Sequence, residues 1–179
     1  MPRRLGPALL CLLLLAAGAA LAEDSRGKAG TESGGGQNGA PVSGLPVPRF
    51  VSLRSAEVNV RTGPGTRYPV EWVFVRREMP VEITAEFETW RRIRDWEGTE
   101  GWVHQSMLTG RRAVLITGGT RTLRRAAAPG AEPVAQAEAG VVGRLLHCAG
   151  DWCQVDLAGY KGWLPRKEFW GAYPNETVD

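Results

Sequence analysis

A chain of 179 residues, 43% hydrophobic and 23% charged, can build one ordinary domain or two small ones. Its 22 basic and 19 acidic residues leave a formal charge of +3, of which Arg3 and Arg4 supply two. No block of like charge runs along the chain, so the electrostatic footprint of a nucleic-acid binder is missing. Three cysteines and two histidines at unrelated spacing cannot complete a metal site, so neither a metal nor a cofactor is expected.

The chain opens on Met1-Pro2-Arg3-Arg4, a positive start, followed by an apolar stretch from Leu5 to Leu21 centred on Leu9-Leu10-Cys11-Leu12-Leu13-Leu14-Leu15. Ala20-Leu21-Ala22 places small residues where a signal peptidase reads them. This predicts a secretory signal peptide over 1–22, cleaved between Ala22 and Glu23. The apolar core falls short of the roughly 20 residues a spanning helix needs, so no permanent membrane anchor is expected. Cys11 follows Leu10, where a lipoprotein signal wants a small residue. Residues 23–48 are rich in Gly, Ser, Pro, Ala and charge and read as a flexible linker. As a random coil it would reach about 30 Å.

From residue 49 the pattern changes to short alternating runs. Val58 with Val60, and Val81 with Ile83, each put two apolar side chains on one face of a strand. Pro80 opens a strand, where its missing N–H does no harm. Gly63, Gly65 and Gly98 stand where turns call for positive φ. Trp90 to Leu108 reads as a β-hairpin. Trp90, Arg92 and Arg94 alternate with Arg91 and Ile93, Asp95-Trp96-Glu97-Gly98 turns, and Gly101-Trp102-Val103-His104 returns. Ser106-Met107-Leu108 closes it with one helical turn. Together with Val58-Asn59-Val60-Arg61-Thr62-Gly63-Pro64-Gly65-Thr66-Arg67-Tyr68-Pro69-Val70 upstream, this stretch resembles the bacterial SH3-like (SH3b) domain over about 60 residues.

The sequence after Arg112 repeats this unit in degenerate form. Val51-Ser52-Leu53 matches Val114-Leu115-Ile116, Val60-Arg61 matches Leu123-Arg124, Trp90 matches Trp152, and Gly101-Trp102-Val103 matches Gly162-Trp163-Leu164. Val141, Leu145 and Val155 take the core places. The expected architecture is all-β: two tandem SH3-like barrels of about five strands, over 49–111 and 112–174, with 175–179 as a tail. The second copy replaces Gly63-Pro64-Gly65 by Ala126-Ala127-Ala128-Pro129-Gly130, and its hairpin tip, Asp156-Leu157-Ala158-Gly159, lacks an aromatic. The first copy is therefore expected to bind and the second to be structural.

Cys148 and Cys153 flank a tight turn on facing strands of an exported protein, which predicts a disulfide. His147 beside Cys148 is no nucleophile pair, since strand neighbours point to opposite faces. Val114-Leu115-Ile116-Thr117-Gly118-Gly119-Thr120 mimics a dinucleotide-binding turn, but it lacks the third glycine and the following helix. Asn175-Glu176-Thr177 fits a glycosylation sequon, which a bacterial relationship makes irrelevant.

Seven tryptophans remain to be placed. Trp102 and Trp163 match core positions of the resembled family, Trp90 and Trp152 read as half-buried, and Trp170 either plugs a barrel end or bridges the copies. Trp96 sits at a hairpin tip, where an aromatic is either a contact residue or packs on the neighbouring copy. Tyr68, Trp72, Arg91, Arg94 and Trp96 are the candidate ligand-binding residues: aromatic faces for sugar rings or prolines, guanidinium groups for peptide carboxylates. No catalytic constellation is visible, and no enzyme activity is expected. The resemblance implies a secreted, periplasmic, non-catalytic module that binds peptidoglycan or its peptides. The alternative is a periplasmic adaptor that holds an extended peptide or a partner enzyme.

Overall fold

A computed structural model describes residues 42–179. The expected signal peptide with its Ala22–Glu23 cleavage point, and the linker up to residue 41, lie outside the described residues. The rest forms fourteen strands in two seven-stranded antiparallel sheets. The first holds β1 (Arg49–Leu53), β2 (Val58–Arg61), β3 (Val70–Phe74), β4 (Pro80–Phe87), β5 (Trp90–Arg94), β6 (Glu100–His104) and β7 (Leu108–Thr109). The second holds β8 (Ala113–Ile116), β9 (Arg121–Arg124), β10 (Pro133–Ala137), β11 (Val142–Ala149), β12 (Trp152–Leu157), β13 (Tyr160–Pro165) and β14 (Phe169–Trp170). The orders β3-β2-β6-β5-β4-β1-β7 and β10-β9-β13-β12-β11-β8-β14 are the same path traced twice. Seven strands stand where five were expected; the shortest, β7 and β14, are two-residue pieces that alternation cannot reveal. Each follows a single 3-10 turn, Gln105–Met107 in one copy and Arg166–Glu168 in the other.

Each barrel has its own core. Val51, Leu53, Val58, Val60, Val81, Ile83, Ile93 and Val103 fill the first, and Val114, Ile116, Leu123, Leu145, Val155 and Leu164 the second. The Gly-Trp pair of the returning strand works differently from the expectation that its tryptophan is core. Gly101 and Val103 face inward, and Trp102 lies half-buried on the outer face. Gly162, Trp163 and Leu164 repeat the pattern. The glycine faces in because the crossing strand leaves no space: a Cβ on Gly101 would lie 2.4 Å from Val60 Cγ1, and one on Gly162 2.9 Å from Leu123 Cβ. Gly98 has the expected positive φ of 88°, whereas Gly63 has a different reason, since the Tyr68 ring packs 2.5 Å from where its Cβ would stand. Gly65 likewise lies outside the positive-φ region.

Cys148 and Cys153 are directly opposed on β11 and β12 and joined by a disulfide, with their Cα atoms 4.1 Å apart. Residues 175–179, expected as a tail, belong to the second barrel. The Cys148 amide donates to the Val178 carbonyl at 2.9 Å, and the Val178 side chain enters the core. The linker also ends earlier than residue 48. Ser43 donates through its amide and its hydroxyl to Glu86, at 2.8 and 2.7 Å, and Arg49 and Arg91 pair with the same carboxylate.

The two cores are joined by side chains from the end of the second copy. Trp170 meets Phe50 edge-on at 4.9 Å, Tyr173 packs on the same ring at 4.7 Å, and Arg112 lies over it. The Tyr173 hydroxyl donates to Glu82 Oε1 at 2.7 Å, and Arg94 pairs with Glu82 Oε2. Trp170 therefore bridges the copies. Replacing Tyr173 by Phe leaves Glu82, which is 2% exposed, short of a donor. That costs about 1–3 kcal/mol, and at about 2–4 °C per kcal/mol thermal unfolding should start several degrees lower. Burial opposes ionisation of Glu86, but Ser43, Arg49 and Arg91 outweigh it and hold its carboxyl down to about 2. A carboxyl depressed in the fold stabilises at neutral pH and loses that contribution as pH falls from its ordinary value of 4.5 toward 2. Ser43→Ala should move the acid-unfolding midpoint upward, which circular dichroism during acid titration will show.

Candidate functional site

The five residues singled out from the sequence have different settings. Arg91 is 4% exposed and is corrected to a structural residue. Its guanidinium donates to the Glu88 and Trp90 carbonyls and to Gln105, and pairs with Glu86. The burial follows from alternation, since Arg91 shares the inward side of β5 with Ile93. Arg94 is committed to Glu82. Trp72 packs on the core of the first barrel and meets Phe74 edge-on at 6.3 Å. Tyr68 lies half-buried over Gly63, with the Arg67 guanidinium 5.0 Å from its ring centre. Trp96 alone is open, 45% exposed at the tip of its hairpin. The tip is rigid, because Asp95 Oδ1 accepts from the amides of Glu97 and Thr99 at 3.0 and 2.8 Å. The tip of the second copy lacks an aromatic, as expected, but one stands directly after it. Ala158 and Gly159 turn with φ of 52° and 92°, Leu157 goes into the core, and Tyr160 stands out, 59% exposed.

A concavity with room for a ligand lies in the second barrel. It has a volume of about 730 Å³ and is lined by Trp152, Pro129, Pro165, Pro174, Ala172, Arg124, Asp151, Arg166, Lys167 and Glu168. Trp152 opens β12 directly opposite Pro165, the last residue of β13. Pro129 comes from the loop between β9 and β10, and Pro174 from the C-terminal segment. Arg166 builds the wall instead of binding. It donates to the carbonyls of Gly150, Tyr173 and Glu176 at 2.6, 2.8 and 2.5 Å and so fastens that segment beside the 3-10 turn. Glu176 is fixed in turn: burial works against its charge, but hydrogen bonding from Arg112 and from the Tyr173 amide lowers its pKa. Arg124 is likewise spent on the Ala131 carbonyl at 2.9 Å. Lys167, Asp151 and Glu168 take part in no ion pair among the described residues. The result is an apolar floor of indole and proline, with Lys167, Asp151 and Glu168 at its rim and the guanidinium groups of Arg124 and Arg166, tied to carbonyls but still charged, in its wall.

In the first barrel the equivalent tryptophan is half-buried as well but has a different cross-strand neighbour. Trp90 pairs in register with His104, whose ring stands edge-on to the indole at 5.5 Å and is held by Ser106 Oγ at 2.8 Å from Nδ1. In the second barrel Pro165 takes the place of His104, and among the described residues no aromatic ring pairs with Trp152. Sequence reasoning placed Trp152 with the half-buried framework. The available signal was the pair of differences Pro165 for His104 and Pro129 within the altered loop.

The bacterial SH3 domain model matches residues 54–110 and again 118–171. No curated protein matches. Among solved structures, NlpC1 from Trichomonas vaginalis is 10% identical with a TM-score of 0.33, over 72% of this chain and 47% of its own. NlpC2 from the same organism is 10% identical with a TM-score of 0.34, over 75% and 51%. An NlpC/P60 family protein from Bacillus cereus is 14% identical with a TM-score of 0.31, over 69% and 57%. The chain thus spans about half the length of each of these three structures. With the same strand order traced twice and the family model matched on both tracings, the chain belongs to the bacterial SH3 domain family and carries the domain in tandem.

Proposed function

We propose that this protein is an exported, non-catalytic binding module whose second barrel seats a peptidoglycan peptide in the Trp152 cleft. The observation that carries this reading is the half-buried indole that lines the cleft with Pro129, Pro165 and Pro174, bordered by Lys167 on one hand and Asp151 and Glu168 on the other. A flat aromatic floor accepts a sugar face or an alkyl chain. The mixed rim suits a ligand with both a free carboxylate and a free amine, as wall peptides have. Export and a periplasmic location rest on the leader pattern of residues 1–22. Membership of a family of binding domains supports the reading at a coarse level.

One observation favours the adaptor reading. β3 is an edge strand of the first sheet, and Val70, Val73 and Val75 on or beside it are 41%, 39% and 82% exposed. An open, apolar edge is what an extended peptide adds to.

Co-sedimentation of residues 23–179 with purified insoluble peptidoglycan separates the two. Truncating an aromatic anchor costs about 2 kcal/mol or more, so Trp152→Ala should weaken pelleting by over tenfold. Lys167→Glu, at an exposed position, should weaken it without touching the fold. Trp96→Ala should leave it unchanged. Loss of pelleting in Trp96→Ala alone would return the site to the first hairpin. Absence of pelleting by folded wild-type protein would sink the wall reading, and Val73→Lys should then abolish capture of an extended partner peptide at the β3 edge.

A further inference from the structure

Two further clefts, of about 400 and 560 Å³, lie at the junction of the barrels and share Glu78 and Arg111. Arg54 and Arg77 line the first, and Arg112 and Arg144 the second, where Asp179 also stands, 3.3 Å from His147 Nδ1. The sequence shows no basic block here. The fold assembles one from the β1–β2 turn, the β3–β4 turn, the inter-barrel link and β11. Arg112 is committed to Glu176 and the Gly171 carbonyl. Arg54, Arg77, Arg111 and Arg144 are exposed, and none of them pairs with a carboxylate among the described residues.

Two of the four are held by Nε, which leaves their terminal nitrogens open. Arg77 Nε donates to the Arg54 carbonyl at 2.8 Å, and Arg54 Nε to the Leu108 carbonyl at 3.3 Å. The backbone of Arg111 is tied to β1 by Ser52 Oγ, which donates to its carbonyl at 2.9 Å. Glu78, which lines both clefts, is one of three non-glycine residues with positive φ among the described residues, at 63°, and its amide donates to the Leu53 carbonyl at 2.9 Å. Such a conformation persists only where the surroundings enforce it.

We propose that this junction is an anion site for a ligand carrying two or more phosphate groups, distinct from the Trp152 cleft. Guanidinium forks pair bidentately with oxyanions. A phosphate offers three terminal oxygens to forks arriving from several directions, whereas a carboxylate offers two. The two adjoining clefts, with Arg111 at their common wall, give room for successive phosphates. Glu78, shared by both clefts, and Asp179, in the second, both oppose an anion, so a ligand that reaches the arginines on both sides is favoured over a single anion placed centrally.

Isothermal titration of the full chain with inorganic tripolyphosphate at physiological salt tests the site. Tripolyphosphate should bind at least tenfold more tightly than orthophosphate or citrate. The double variant Arg77→Ala/Arg111→Ala should lose at least tenfold in affinity with unchanged thermal unfolding. Arg125→Ala, whose guanidinium pairs with Glu132 outside the cluster, should bind as wild type. Glu78→Gln should bind a few-fold more tightly. Absence of binding, equal affinity for citrate or for orthophosphate, or an equal loss in Arg125→Ala would overturn the proposal. None of these outcomes bears on pelleting with peptidoglycan.

Discussion

Glu82 is a carboxylate placed where water cannot reach it, and a group of that kind is tolerated only when its oxygens are satisfied by protein donors. One donor, Arg94, is its cross-strand partner on β5. The other, Tyr173, arrives from beyond β14, at the end of the second copy. The first barrel thus completes its hydrogen bonding only when the second is in place. The aromatic contacts of Phe50 with Trp170 and Tyr173 close over the same seam. Burial and the neighbouring carboxylate push the Tyr173 phenol upward, so it stays a donor across the physiological range. Two barrels with separate cores, each small enough to be marginal alone, are thereby joined through one satisfied polar contact and one aromatic cluster.

The copies solve the problem of small size differently. The first builds a shared ionic network around Glu86, using Ser43 and Arg49 from ahead of and within β1 and Arg91 from β5. The second has a covalent staple across β11 and β12 and lets the residues after β14 return to the sheet at Cys148. That return carries Tyr173, Pro174 and Glu176 past the 3-10 turn, where Arg166 fastens them. The Trp152 cleft is a by-product of this route. Its floor belongs to the repeat, but one of its walls is made of chain that follows the repeat.

This origin explains what the sequence could show. The hairpin from Trp90 to Leu108, the repeat after Arg112 and the pairing of Cys148 with Cys153 were all legible, because each rests on local alternation, turn chemistry or offset. The orientation of Trp102 and Trp163 was not. Their place in a motif suggested the core, yet the glycine before each is the inward residue, chosen for the close approach of β2 or β9. Arg91 misled for a related reason, since an arginine in a hairpin reads as exposed until Glu86, Glu88 and Gln105 are seen around it. The cleft was illegible because Trp152, Pro129 and Pro174 are far apart in the chain, and only the fold brings them together.

The contrast between Trp90 and Trp152 also argues for a division of labour between the copies. Duplication supplies two equivalent positions, and the two need not keep the same neighbour. His104, steadied by Ser106, sets an aromatic ring edge-on against Trp90 in the first copy, while the second sets Pro165 opposite Trp152 and leaves that indole to line the cleft. The first barrel, with its satisfied carboxylates, then serves as the rigid partner against which the last residues of the chain are set. Those same residues shape the wall of the cleft. The copy with the better family motif therefore braces the chain that walls the cleft, and the degenerate copy supplies the floor.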